Sequence, residues 1–445
     1  MKLWQKQATK TSALVEAFTT GRDREMDQYL APFDVLGSLA HVKMLTSIQL
    51  LTAEEGELLT NELRRIYDKI LEEGIQLPAD AEDIHSYMEI LLTQSLGDAG
   101  KKIHAARSRN DQVLVDMRLF MRQEVEEIVQ ATSSLFDLLQ QQSERYKHHL
   151  MPGYTHLQLA MPSSFGLWFG AYAESLVDDM IALQAAYQVI NKNPLGSAAG
   201  YGSSFPVNRT LTTALLGFDT LNYNVVYAQM SRGKSERIMA AALASLADTL
   251  ARLSMDACLF LNQEFNFISF PAELTTGSSI MPHKKNPDVL ELIRAHCNRL
   301  KALPNELAMI STNLPAGYHR DWQLIKEHLF PAFQNLKDCL QMMENMLAQV
   351  TIRANILEEE KYKYLFSVEE VNRLVQQGIP FREAYRQVGD SIERGEFIPP
   401  SAIHHTHEGS IGNLCNDQIR EAMQSVIAGF PFARVHRALK SLLAG

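Results

Sequence analysis

Apolar residues in this chain return mostly at three- and four-residue steps, the spacing that gathers them on one face of a helix. Leu114, Met121, Val125, Ile128, Thr132, Leu135 and Leu139 make one such seam, with Arg118 filling its gap. The seam lies within Lys101 to Met151, a stretch with neither Gly nor Pro. A helix of about 35 residues there is about 50 Å long, which predicts a bundle with coiled-coil-like packing. Lys234 to Phe270 is a second run free of Gly and Pro, and Pro162 to Asn193 a third, interrupted by Gly166 and Gly170. A fourth follows Asp288 with Val289, Leu290, Ile293, Cys297 and Leu300; a fifth starts at Asp321, with a kink predicted at Pro331. Nothing alternates with period two for long enough to build a sheet. The predicted fold class is all-α: a central bundle of very long helices flanked by two smaller helical domains.

Shorter patterns sit at both ends. Thr52-Ala-Glu-Glu55 reads as a capping box leading into the stripe Leu59, Leu63, Ile66, Ile70, which stops at Gly74. Asp80, Glu82 and Asp83 crowd the start of the next helix, where acids suit the dipole and equally suit a functional role. Ser367-Val-Glu-Glu370 reads as another capping box, and Pro380 opens a helix with Phe381, Ala384, Val388 and Ile392; Pro399-Pro400 marks a loop. The expected division is an N-terminal helical domain over 1–106, the long-helix bundle over 107–352 with a loop at 274–288, and a C-terminal helical domain over 353–445. There is no internal repeat.

Composition narrows the function. The net charge of −10 argues against nucleic acid as the main ligand, because phosphate binding requires a basic surface. No apolar run approaches the roughly 20 residues that span a bilayer, so no membrane partner is expected. Met1-Lys-Leu-Trp-Gln-Lys lacks the apolar core of a signal peptide. Cys258, Cys297, Cys339 and Cys415 show no paired spacing. A cytoplasmic location is the expectation.

Four polar stretches carry candidate chemistry. Thr276-Gly-Ser-Ser-Ile-Met-Pro-His-Lys-Lys-Asn-Pro-Asp288 delivers a hydroxyl-bearing loop onto a helix start, with Asn286 as the expected N-cap and Lys284 and Lys285 beside it. Free N–H groups and ammonium charge suit an anion such as a carboxylate; its first residues alone suit an ordinary surface loop. His104-Ala-Ala-Arg-Ser-Arg-Asn-Asp-Gln112 puts the planar fork of Arg109 between Ser108 and Asn110, a carboxylate binder or a charged helix entry. Met151-Pro-Gly-Tyr-Thr-His-Leu-Gln158 places Thr155 and His156 in a turn between long helices, and Leu314 to Lys326 is a polar loop entering the last of them. Gly196 to Ser204 fits no phosphate-loop pattern and reads as a tight interhelical loop. His404-His-Thr-His407 lacks accompanying carboxylates or cysteines and reads as a polar patch, so no metal is expected.

The thirteen residues from Thr276 resemble the signature loop of the fumarase/aspartase superfamily, and most closely that of the argininosuccinate lyases. The Ser108-Arg-Asn-Asp-Gln112 run, Gly153-Tyr-Thr-His156 and Leu314–Lys326 resemble further motifs of that family, in the same order. The resemblance implies Ser278 as catalytic base, with Lys284 and Asn286 holding a carboxylate. It pairs His156 with Glu291, sets Ser108, Arg109, Asn110 and Thr155 on the succinyl group, and puts Tyr318, Gln323 and Lys326 at the arginine end. It implies cofactor-free elimination of argininosuccinate to arginine and fumarate in arginine biosynthesis, by a homotetramer whose sites each draw on three chains. Some positions depart from the family. His283 stands where Gln is usual, as in adenylosuccinate lyases, and Ala105-Ala106 replaces Thr-Gly. Ser231-Arg-Gly-Lys234 replaces an acidic Ser-Asp-Arg-Asp. His319-Arg320 and Leu324-Ile325 alter the arginine-end loop, Asp23 stands near a usual serine, and Trp4-Gln-Lys replaces the N-terminal opening. The alternatives are another fumarate-releasing lyase, such as adenylosuccinate lyase, and a non-catalytic crystallin-like relative.

Overall fold

A computed structural model describes residues 12–78, 81–400 and 402–444; Trp4 and Asp80 lie outside them. The longest element is the helix Arg109–Arg145, 37 residues, and every residue of its predicted seam is buried. It packs against Phe165–Ile190 and Gln323–Ala348, while Lys234–Leu261 lies against Phe165–Ile190 and the signature helix Asp288–Leu300. The gap residue Arg118 is 1% exposed. Its guanidinium donates to the carbonyls of Val189 (3.0 Å) and Ile190 (3.2 Å) and to Ser231 Oγ (2.7 Å). A cation therefore caps the C-terminal end of the neighbouring helix, where free carbonyls need donors.

Three expectations change on contact with the structure. The fourth run ends at Leu300 as its stripe does, but at 13 residues it is not one of the very long helices, and Leu303–Ile310 follows as a separate helix with Pro304 in its first turn. The third run starts at Phe165, since residues before it pair as a β-hairpin, Leu150–Thr155 against Gln158–Ser164. Gly166 is needed for close approach: a Cβ there would lie 2.6 Å from Lys147 Cα. Lys234–Leu261 is also long and apolar enough to cross a membrane, its most apolar 18-residue stretch having a mean hydropathy of 1.3, contrary to the expectation of no such run. In this fold it is a core helix, 61% of its most apolar stretch being buried in the bundle.

At the ends, Thr52 and Glu55 form the predicted capping box, each side chain bonded to the other's N–H at 3.1 Å, and the helix Ala53–Glu73 buries its stripe. Ser367 does not cap: the helix Ser367–Gln376 continues directly from a 3₁₀ turn, so no orphan N–H awaits a side chain. Val371, Ala384, Val388 and Phe397 form a small separate core. Ile419, Met423, Phe430 and Leu442 instead join the main core, and Leu442 O accepts a hydrogen bond from Arg64.

Candidate active site

The site residues named from sequence fall into three places. The first is a cavity of about 190 Å³ at the mouth of the Arg109–Arg145 and Gln323–Ala348 helices. Arg109, Asn110, Tyr318, Gln323 and Lys326 line it. Ser108 caps the long helix, its Oγ accepting from Asn110 N (3.2 Å), while Asp111 Oδ1 accepts from Ser108 N (2.8 Å). The other Asp111 oxygen accepts the N–H groups of Gly196 and Ala198 at 2.9 Å, tying the tight 194–202 loop to the helix entry. Burial pushes the Asp111 carboxyl up to about 6 despite these donors.

The cations of this cavity come with their own carboxylates. Arg109 lies 3.0 Å from Glu82 and 3.1 Å from Asp83 and donates to Ser86 Oγ (2.6 Å). Lys326, 3% exposed, has its ammonium between Asp23 and Asp27. Burial, together with the neighbouring Asp27, raises the Asp23 carboxyl to about 6, with Lys326 opposing. Gln323 is committed too: its amide donates to Thr19 O (3.1 Å) and Thr20 O (3.0 Å), pinning the end of the helix Ala13–Thr20 over the cavity. Tyr318 packs edge-on to Trp322.

On the same wall stands His85, 7% exposed. Its Nδ1 is 3.2 Å from Asp34 and 3.6 Å from Asp116. Burial works against the imidazolium, but the surrounding aspartates outweigh it and hold the group up at about 9. Asp34, His85 and Asp116 are the grouping with metal-ligand spacing among the described residues; the buried Arg107 already supplies a second positive charge to both aspartates. Sequence reading did not single out Asp27, Asp34, Asp116 or Arg232. Two signals were present: Asp23 and Asp27, two acids four residues apart and hence on one helical face, and the divergent 231–234 segment that contains Arg232.

The second place is the loop of Thr276 to Asp288. Thr276–Gly277 pairs with Lys285–Asn286 as a short hairpin, leaving 278–284 as its tip. Ser278 Oγ accepts from the N–H groups of Ile280 (3.4 Å) and Met281 (3.1 Å). Asn286 is not the helix cap: Pro287 holds that position, and the Asn286 amide turns back to Gly277 O (3.4 Å) and Thr276 Oγ1 (3.5 Å). Thr276 in turn bonds Asp288 in the first helical turn. His283, Lys284, Asn286 and Glu291 line an open cavity of about 560 Å³. Glu291 lies 3.8 Å from Arg294 of the same helix.

The third place is the tip of the Leu150–Ser164 hairpin. Thr155 faces Gln158 across a two-residue turn. His156 (φ 56°) and Leu157 (φ 59°) both take left-handed backbone there, as a type I′ turn requires and as neither residue type favours. Thr155 and His156 are exposed, and among the described residues the His156 ring has no hydrogen-bond partner. Within one chain, therefore, His156 is not paired with Glu291, and neither it nor Ser278 or Lys284 reaches the cavity of Arg109.

Residues 6–301 match the family model described as Lyase. The chain is 60% identical over 448 residues to the argininosuccinate lyase of Bacteroides fragilis, covering 99% of each. It is likewise 60% identical over 450 residues to that of Parabacteroides distasonis, covering 100% of this chain and 99% of the other. Among solved structures, a variant of EDDS lyase with bound fumarate superposes with a TM-score of 0.78 at 21% identity, over 98% of this chain and 95% of that one. That likeness is one of fold.

Proposed function

The chain belongs to the argininosuccinate lyases, which are carbon–nitrogen lyases, and we propose that it eliminates fumarate from argininosuccinate, leaving arginine, at sites each built from three chains of a homotetramer. The hard step removes a proton from carbon beside a carboxylate, leaving an aci-carboxylate with extra negative charge. Ser278 is the base. The N–H groups of Ile280 and Met281 already point at its Oγ, and such donors favour the alkoxide over the hydroxyl. Lys284 and Asn286 receive the charge that develops on the carboxylate. Ser108, Arg109, Asn110 and Thr155 fix the succinyl group so that the C–H and C–N bonds align. His156, oriented by Glu291 of another chain, handles the proton at the departing guanidinium. Tyr318, Gln323 and Lys326 border the arginine end. No cofactor has a role in this scheme, and the setting is arginine biosynthesis in the cytoplasm.

One observation carries the shared-site reading. The catalytic groups lie on two exposed tips, and the hairpin tip holds a strained backbone. Strain of this kind costs about 1–3 kcal/mol per residue and persists where function needs the geometry. Mixing inactive proteins tests it. Ser278→Ala and His156→Asn tetramers, each inactive alone in ultraviolet detection of fumarate, are dissociated and reassembled together. If the two groups come from different chains, about a quarter of randomly mixed sites regain both. No regain on mixing would place serine and histidine in one chain's site and end the proposal.

A further inference from the structure

The arginine-end cavity has a charge ledger with one open entry. Lys326 sits between Asp23 and Asp27, Arg109 against Glu82 and Asp83, and His85 against Asp34 and Asp116. Arg320 is exposed and bonded to Gln323 (3.2 Å). Arg232 differs from all of these. It is 4% exposed and lines the same cavity. Its only side-chain hydrogen bond among the described residues is a long one, 3.5 Å from Nη2 to Trp322 O. Its buried Nε has no partner, and its guanidinium otherwise faces the Tyr318 ring at 5.7 Å. Asp23 lies near enough to feel the charge, but its carboxylate is spent on Lys326.

A buried guanidinium with no carboxylate and only one long hydrogen bond is costly, unlike Arg118, whose fork is spent on two carbonyls and a hydroxyl, and a carboxylate arriving from outside would offset that cost. Its planar fork matches a carboxylate in two parallel hydrogen bonds. Lys326 is poorly placed for that task, since two acids already surround its single charge. We propose that Arg232 is the specificity-determining residue that receives the α-carboxylate of the amino-acid half of the substrate. The assignment rests on the argininosuccinate lyase reading. It also gives a use to the 231–234 segment, where this chain departs from the acidic run of the resembled family.

Arginine and agmatine, which is arginine without its carboxylate, test the proposal as inhibitors of fumarate release by the intact enzyme. Wild type should bind arginine at least about tenfold more tightly than agmatine, the scale of a bidentate charge-assisted pair. In Arg232→Gln the gap should shrink to about threefold or less, and the KM for argininosuccinate should rise by more than kcat falls. Arg232→Lys, which keeps charge without the fork, should narrow the gap without closing it, and it carries the test should the glutamine variant fail to fold. A wild-type enzyme that treats the two inhibitors alike, or an unchanged gap in the folded variants, overturns the assignment while leaving the lyase reading intact. Absence of fumarate release from argininosuccinate by wild type would take down both.

Discussion

A lysine between two aspartates and a histidine between two others do different things, although each is a buried cation with acidic neighbours. Lys326 stays charged at any ordinary pH, whereas His85 titrates within reach of experiment. Its folded value of about 9 stands above the ordinary 6.5, so the folded state holds the proton more tightly. That stabilisation is whole below pH 6.5 and is lost as the pH rises through about 9, with an upper bound of roughly 3 kcal/mol. Denaturant unfolding of wild type between pH 6 and 9.5 should show this loss. His85→Asn, which leaves Asp34 and Asp116 facing each other without their imidazolium, should be less stable at pH 6 and flatter across the window. Equal slopes in the two proteins would show that the imidazolium is not what holds the cluster. Residues at this scale were readable unevenly. Arg109 and Lys326 lie in motifs, but their counter-charges come from residues far away in the chain. Arg232 lies where the motif breaks, and nothing local marks a charge as unpaired.

Elements were read best where one local interaction decides them. The Thr52 cap and its stripe needed only four residues and a helical period. The Ser367 box had the same letters and failed, because the turn before it already supplies the backbone bonds. The Leu150–Ser164 hairpin was missed for a related reason. Pro152, Gly153 and Pro162 argue against strands, and the turn residues His156 and Leu157 are not those that type I′ geometry prefers. A similar mismatch occurs at Ala106, where the chain keeps a left-handed φ of 61° without the glycine usual in the resembled family. The hairpin offers a direct measurement of the strain. Leu157 is 83% exposed, so Leu157→Gly loses little packing within the chain while gaining φ freedom. The hairpin should be more stable by up to about 1 kcal/mol, visible as slower hydrogen exchange across the Leu150–Thr155 and Gln158–Ser164 strands. Faster exchange would mean that Leu157 supports the turn. If the tip docks into a neighbouring chain, activity should fall even as the hairpin tightens.

At the scale of the whole molecule, the bundle was readable because long runs without Gly or Pro have few other ways to fold, and burying such helices requires packing them side by side. The assembled site was not readable from spacing alone, since its parts are distributed over elements that one chain keeps apart. The Arg109 cavity holds the acids and cations that suit an amino acid and a dicarboxylate, yet it lacks Ser278, Lys284 and His156. The hairpin meanwhile exposes Leu157, Leu159 and Met161, apolar surface next to the one imidazole assigned to chemistry. Association would cover that surface and complete the site in one event, so activity and stability should share a concentration dependence. On dilution, fumarate release per chain should fall in step with loss of the tetramer by light scattering or analytical ultracentrifugation, and the thermal midpoint should drop over the same range. Added argininosuccinate should shift both curves to lower protein concentration, because ligand bound only by the assembled site stabilises the assembly by mass action. Dilute monomers that retain full turnover would require the loop and the hairpin tip to swing into their own chain's cavity, and the division of the site among neighbours would have to be abandoned.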